Sequence, residues 1–223
     1  MITIRAIKII AVAVFAAAAI FYFLPIPVPH KIAIPVFSLF IAGLWLLPWQ
    51  MCAAMLFSAL GDYAGSCHDF IWQMGLFAAA HIFMISFFVR IILDSLKTSG
   101  KGNKPYSLYI GVAAICIWLL TIAFQEIVPF APAGTVRIGV MVYAILIITM
   151  LSTSITAVSI KRPYDYWFSL CSFGAGLFLI SDGILAWNKF VTPLPHSGLL
   201  IMVPYYLAQL SLFFGASRAK AEK

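Results

Sequence analysis

Charge is what this sequence has least of. Lysine, arginine, aspartate and glutamate make up 9% of the 223 residues, and only seven of those side chains are acidic. A water-facing surface alone takes about a quarter charged residues, so a soluble domain is excluded. Cysteine is sparse as well: Cys52, Cys67, Cys116 and Cys171 show neither a CxxC nor a metal-ligand spacing. A disulfide scaffold and the usual zinc signatures therefore have no support, and Cys52, Cys116 and Cys171 fall in apolar runs as small core residues. The period-two alternation of a membrane β-barrel is missing. So is a phosphate-binding glycine loop, since Gly174-x-Gly176 follows no strand and reads as helix packing. Basic residues exceed acidic ones, for a net charge of +7. They sit in short loops and at the chain ends rather than in a patch, so no nucleic-acid partner is expected.

What fills the chain is hydrocarbon: 64% of residues are hydrophobic. A helical span takes about 20 apolar residues. The expectation is an all-α polytopic membrane protein, one integral membrane domain over residues 1–223. Its bundle of about eight helices is placed at 6–24, 31–47, 49–64, 70–93, 106–124, 137–160, 165–187 and 197–216. The first run resembles a signal peptide, but more spans come after it instead of a polar mature domain. Pro25, Pro27 and Pro29 make a stiff extended turn. The one clearly polar loop runs from Asp94 to Pro105, and Lys161-Arg162-Pro163 is a tight basic turn. With the N-terminus inside, the inner side carries Arg5, Lys8, Arg90, Lys97, Lys101, Lys104, Lys161, Arg162, Arg218, Lys220 and Lys223. The outer side has only Lys31, Arg137 and Lys189. Eight spans with both termini cytoplasmic satisfy the positive-inside rule, and seven do not. The tryptophans Trp49, Trp72, Trp118, Trp167 and Trp187 lie near span ends, as an aromatic belt does.

Against this background a few polar side chains stand out, because an ionisable group within the bilayer costs about 2.5–3.5 kcal/mol on insertion scales. Asp62 closes the stretch Phe57–Asp62, His81 lies in the next span, and Asp182 sits in Ser181-Asp182-Gly183. At 1.5 Å per residue, Asp62 lies about 20 Å and Asp182 about 25 Å from the inner ends of their helices. His81 lies about 16 Å below the outer surface, so all three meet in the outer half of the bilayer. Lys31 and Lys189 sit at the outer mouth of that region. Ser58, Gly61, Asp62 and Gly65 form one small or polar helical stripe, and Tyr205 and Gln209 are one turn apart.

Blander readings compete at each position. Asp62 caps a turn or pairs structurally with a lysine; Asp182 pairs with Lys189; His81 is a satisfied core histidine; Tyr205 and Gln209 share a packing hydrogen bond. Glu126 and Asp165 are solvated at span ends, and His68-Asp69 lacks a third metal ligand. The functional reading is acid–base chemistry. One embedded carboxyl donates a proton while the other, ionised, activates water, as in aspartic proteases and glycosidases. No metal and no cofactor are called for, and the residues by themselves do not name a substrate.

Six pieces taken in order resemble the YhhN-like membrane family that includes lysoplasmalogenases. They are Lys31 followed by Pro35, Ser58-Ala59-Leu60-Gly61-Asp62, Gly75-x-Phe77-x-x-x-His81, Tyr143 with Met150, Ser181-Asp182-x-x-Leu185-Ala186-x-x-Lys189-Phe190, and Tyr205-Tyr206-x-x-Gln209. Departures from the family pattern are Met84, Asn188 and the longer spacing from Lys31 to Pro35, and they bear on substrate fit more than on the aspartate pair. The resemblance implies hydrolysis of the vinyl ether of a lysoplasmalogen, or a related single-chain ether lipid, to a fatty aldehyde and a glycerophospho-base. Asp62 and Asp182 would be the acid and base, with His81 tuning them. Lys31 and Lys189 would hold the phosphate, and Ser58, Tyr205 and Gln209 would line the substrate site. The partners implied are a lysophospholipid and the bilayer, in a bacterial cytoplasmic membrane; a homo-oligomer is left open. The rival from another class is a proton-coupled transporter or flippase using the same carboxylates, hinted at by Asp62 and Asp182 on two parallel helices. A zinc-dependent lipid hydrolase lacks ligands, and a purely structural protein leaves the aspartates unexplained.

Overall fold

The computed structural model describes residues 4–98, 106–161 and 164–221. Much of the polar loop, including Lys101 and Lys104, lies outside the described residues, as do Arg162, Pro163 and Lys223. Within them the chain is helical throughout, with no strand. Helix α1 spans Ile4–Phe23, and a 3-10 turn at Lys31–Ala33 leads into α2, Ile34–Leu46. Beyond it come α3 (Trp49–Ser66), α4 (Phe70–Thr98), α5 (Tyr106–Ile122), α6 (Thr135–Ile160), α7 (Leu170–Phe190) and α8 (Ser197–Ala221). A π turn at Ala123–Ile127 and a 3-10 turn at Val128–Phe130 continue α5.

Six of these helices are long and apolar enough to cross a membrane, which makes this an integral membrane protein. The eight expected helices are all present, but α2 and α3 fall outside that six. With its leading turn, α2 is 16 residues, about 25 Å by helical rise. Helix α3 is long enough but less apolar, for a specific reason. Gln50, Ser58, Gly61 and Asp62 are all buried, so its polar stripe faces the protein instead of lipid. At the other extreme, none of α5's apolar window is buried; it leans on α6 at the rim of the bundle. Trp49, Trp72, Trp118 and Trp167 are exposed, as a belt requires.

The helix ends reflect local chemistry. Pro48 caps α3 and Pro35 sits in the first turn of α2, where a missing N–H costs nothing. Helix α7 begins at Leu170 and not at Asp165, because Asp165 spends itself on a turn: its Oδ1 accepts from the Trp167 amide at 2.9 Å. Gly134, at φ +92°, lets the chain enter α6. Arg137 braces that entry by donating to the carbonyls of Pro129 and Ala131.

Helices α7 and α8 pack at backbone distance. A Cβ on Gly174 would lie 2.8 Å from the Ala208 carbonyl oxygen, and one on Gly215 would lie 2.8 Å from the Cys171 amide nitrogen. Small residues permit this approach. Gly176, expected to share the role with Gly174, meets nothing within 4 Å. Ser181 adds a tie, its Oγ donating to the Ile201 carbonyl at 2.9 Å, in the turn of α8 that precedes Pro204. Gly174→Leu should therefore destabilise the fold by about 1–3 kcal/mol, as overpacking does. Thermal unfolding in detergent should show a clear drop for Gly174→Leu and almost none for Gly176→Leu; equal effects would contradict this packing.

Candidate active site

Each aspartate is held by a tyrosine from a different helix. Asp62 on α3 is 2% exposed, and its Oδ2 accepts from the hydroxyl of Tyr205 on α8 at 2.8 Å. Asp182 on α7 accepts, also at Oδ2, from the hydroxyl of Tyr143 on α6. Among the described residues neither aspartate has an ion pair. Lys189, the sequence's alternative partner for Asp182, has its ammonium 4.4 Å from the centre of the Phe70 ring. An ionised carboxylate is acceptor-only, and a hydroxyl aimed at it gives a strong, charge-assisted bond without adding a second charge.

Aromatic rings fill the space between the two pairs. Tyr205 meets Phe178 edge-on at 5.4 Å and Phe77 at 5.8 Å. His81, fully buried, meets Phe178 at 4.8 Å and Tyr143 at 5.2 Å. Its Nδ1 donates to the Phe77 carbonyl one turn back, at 2.6 Å. A carbonyl can only accept, so that contact places a proton on Nδ1 and leaves Nε2 as the free position. Nε2 has no protein partner, and neither does Ser58 Oγ, while Gln209 interacts with the Tyr205 hydroxyl. Ser58 lies one turn before Asp62, and Gln209 one turn after Tyr205. An unpartnered buried polar group costs about 1–3 kcal/mol, so His81 Nε2 and Ser58 Oγ beside one pair of carboxylates mark a site built for something other than stability.

Two apolar clefts meet at Asp182 and Tyr143, which line both. The wider, about 150 Å³, is walled by α5 and its π turn on one side and by α6 and α7 on the other. The narrower, about 50 Å³, lies between α4, α6 and α7. Asp62 lines neither; Phe77, packed on Tyr205, is the ring that faces the narrower cleft on that side. The narrower cleft shares Phe70 and Phe190 with a groove of about 530 Å³ at the loop end of the bundle, where His68, Asp69 and Lys189 line the wall.

The two lysines expected to act together are therefore placed apart. Lys31 lines a separate groove in the Pro25–Pro29 turn. Its Nζ donates to the carbonyls of Leu24 at 2.6 Å and Ile26 at 3.0 Å. Among the described residues, of the cations at this end of the bundle, Lys31 and Arg137 are engaged by backbone carbonyls, and only Lys189 opens onto a groove connected to an aspartate. Tyr205 is placed against Asp62, with Gln209 one turn further along α8. Tyr143 was one piece of the family pattern but had no role; a lone phenol in mid-span was the signal available. The π turn had no legible signal. Among the described residues no three His, Cys, Asp or Glu side chains converge as metal ligands.

No solved structure matches the chain. The mouse lysoplasmalogenase TMEM86B is 29% identical over 174 residues, 76% of this chain and 64% of its own. The human lysoplasmalogenase TMEM86A is 28% identical over 176 residues, 77% of this chain and 66% of its own. Human TMEM86B is 52% identical over a 50-residue stretch, 22% of each chain. This chain thus spans about two thirds of the length of the curated relatives it matches most fully. The family model described as the YhhN family matches residues 31–216. With that match over most of its length, the chain belongs to the YhhN family.

Proposed function

We propose that this protein hydrolyses the vinyl ether bond of lysoplasmalogens within the membrane. The observation that carries the reading is the Asp182–Tyr143 pair at the junction of two apolar clefts, with the Asp62–Tyr205 pair behind an aromatic wall. The names of the relatives, lysoplasmalogenases, agree with it. Nothing specific to a transporter accompanies these features.

The chemistry balances with two carboxyl groups and one water. Protonated Asp182, facing the cleft, gives its proton to the β-carbon of the vinyl ether, leaving an oxocarbenium ion. Asp62, in its ionised form and with Oδ2 accepting from Tyr205, stabilises that cation across a medium of low dielectric. Water adds to the cation and its released proton restores a carboxyl. The hemiacetal then breaks to a fatty aldehyde and the free hydroxyl of the glycerophospho-base. Tyr143 directs Oδ2 of Asp182 away from the reacting carbon, and His81 fixes the wall between the pairs. Lys189 takes the phosphate as a point charge, and Lys31 clamps the proline turn. The surplus of basic residues on one side supports a protein with both termini cytoplasmic, in the cytoplasmic membrane if the source is a bacterium.

Aldehyde release from lysoplasmenylethanolamine by purified protein is the direct test, with and without EDTA. Asp182→Asn should lower kcat by about 10²–10⁴-fold, the usual contribution of a general acid. Asp62→Asn should also lose activity, and Tyr143→Phe should retain more than either. Wild-type activity surviving in Asp182→Asn would rule out the acid assignment, and loss with EDTA would point to a metal. For the lysines, Lys189→Gln should raise KM with little change in kcat, the pattern of lost ground-state binding. Lys31→Gln should lower the unfolding temperature and spare KM, and the reverse assignment would return the phosphate to Lys31. Orientation is checked by Cys67, an exposed cysteine in the α3–α4 turn. A membrane-impermeant maleimide should label it from outside intact cells; labelling only after lysis would invert the topology.

A further inference from the structure

We infer that the cleft between α5 and α6–α7 is an alkyl-chain subsite, and that a single-chain lipid lies along α7 with its phosphate at Lys189 and its first chain carbons at Asp182. This rests on the proposed hydrolysis of a lysophospholipid, and it assigns a place to each part of that lipid and names the residues that set the chain accepted.

Spacing along α7 is the first support. Asp182 and Lys189 are seven residues apart, two turns on one face of the helix. That is about 10 Å, a length a glycerol and its phosphate can span with the reach of a lysine. Continuity is the second. The Lys189 groove shares Phe70 and Phe190 with the narrower cleft, which in turn shares Asp182 and Tyr143 with the wider one. The path is charged at the Lys189 end and apolar beyond Asp182.

The lining of the wider cleft chooses its occupant. Apart from Asp182 and Tyr143, the residues are aliphatic or glycine. A head group there would lose its hydration with nothing in return, whereas an alkyl chain gains about fourfold in affinity for each methylene buried. About 150 Å³ lined in this way suits a short length of hydrocarbon and stays dry. Entry is sideways. Helix α5 leans chiefly on α6, with none of its apolar window buried, and its π turn forms part of the cleft wall. Short π segments are frequent at functional sites.

Gly183 keeps the passage open. It lines the cleft one residue beyond Asp182, and a Cβ built on it meets nothing within 4 Å. A large side chain at this position would occupy the cleft without striking backbone. Ala144 lines the same cleft from α6 and offers a second position for a large side chain.

The test uses a non-hydrolysable probe, a saturated 1-O-alkyl lysophosphoethanolamine with a diazirine near the chain end, photolysed with the full protein in nanodiscs. Cross-links should map to Leu119, Ile122 and Ile147 by mass spectrometry. They should fall at least tenfold in Gly183→Phe and, as a second variant, in Ala144→Phe, and persist in Gly176→Leu. With lysoplasmalogens of increasing chain length, the wild-type KM should fall with each methylene, and Gly183→Phe should flatten that dependence. Cross-links confined to other helices, or undiminished in both folded cleft variants, would overturn the subsite. Because the probe is not a substrate, labelling at Ile147 in a protein that releases no aldehyde would keep the subsite and sink the hydrolase reading. Hydrolysis with cross-links elsewhere would do the opposite.

Discussion

Two carboxyl groups placed in hydrocarbon must be satisfied by something, and in this protein it is phenol. Each aspartate takes a hydroxyl from a helix other than its own: Tyr205 reaches Asp62 across 143 residues, and Tyr143 reaches Asp182 across 39. Lysine partners would have turned both sites into neutral ion pairs, stable and chemically quiet. A neutral hydroxyl leaves the protonation of the carboxyl open while still fixing one of its oxygens. The bundle is arranged around this need. Helix α3 buries its polar stripe to bring Asp62 inward, and α7 and α8 meet at glycines so that the serine before Asp182 can bond the turn leading into Tyr205.

The same constraint explains the aromatic wall. Phe77, Phe178 and His81 separate the two pairs with rings rather than with aliphatic side chains, and they meet one another and the two tyrosines edge-to-face. Rings in that geometry are stiff and carry oriented partial charge. They hold the two carboxyl groups apart at fixed separation without supplying a proton of their own, since the proton of His81 is engaged by the Phe77 carbonyl and its Nε2 can only accept.

Much of the helix order was legible in the sequence, because apolar runs of span length, prolines and basic turns are local signals. The limits of that reading are also local. The start of α7 moved from 165 to Leu170 because an aspartate that looked like a span residue caps a turn. Helix α4 runs to Thr98, past the polar residues that seemed to end it, since a helix leaving the bilayer has no reason to stop there. Asp62, His81 and Asp182 were legible as costly residues in costly places. Tyr205 was read as a lining residue and Tyr143 only as part of a pattern; that each holds an aspartate was not legible, because a partner on another helix depends on how helices face one another, which one sequence does not record. Lys31 and Lys189 were read as a pair from a shared depth. Depth says nothing of what a flexible ammonium bonds to, and the carbonyls of the proline turn were nearer.

Helix α5, at the rim of the bundle, bears on how the products would part. A cleft with one wall against lipid and a groove at the loop end gives the site a greasy exit and a wet exit. The two products of the proposed hydrolysis differ in just this respect. The long-chain aldehyde belongs in the bilayer and the phosphorylated alcohol in water, so each leaves through the side the other avoids. Separation by phase keeps the pieces from meeting again, and the site clears without having to discriminate between them.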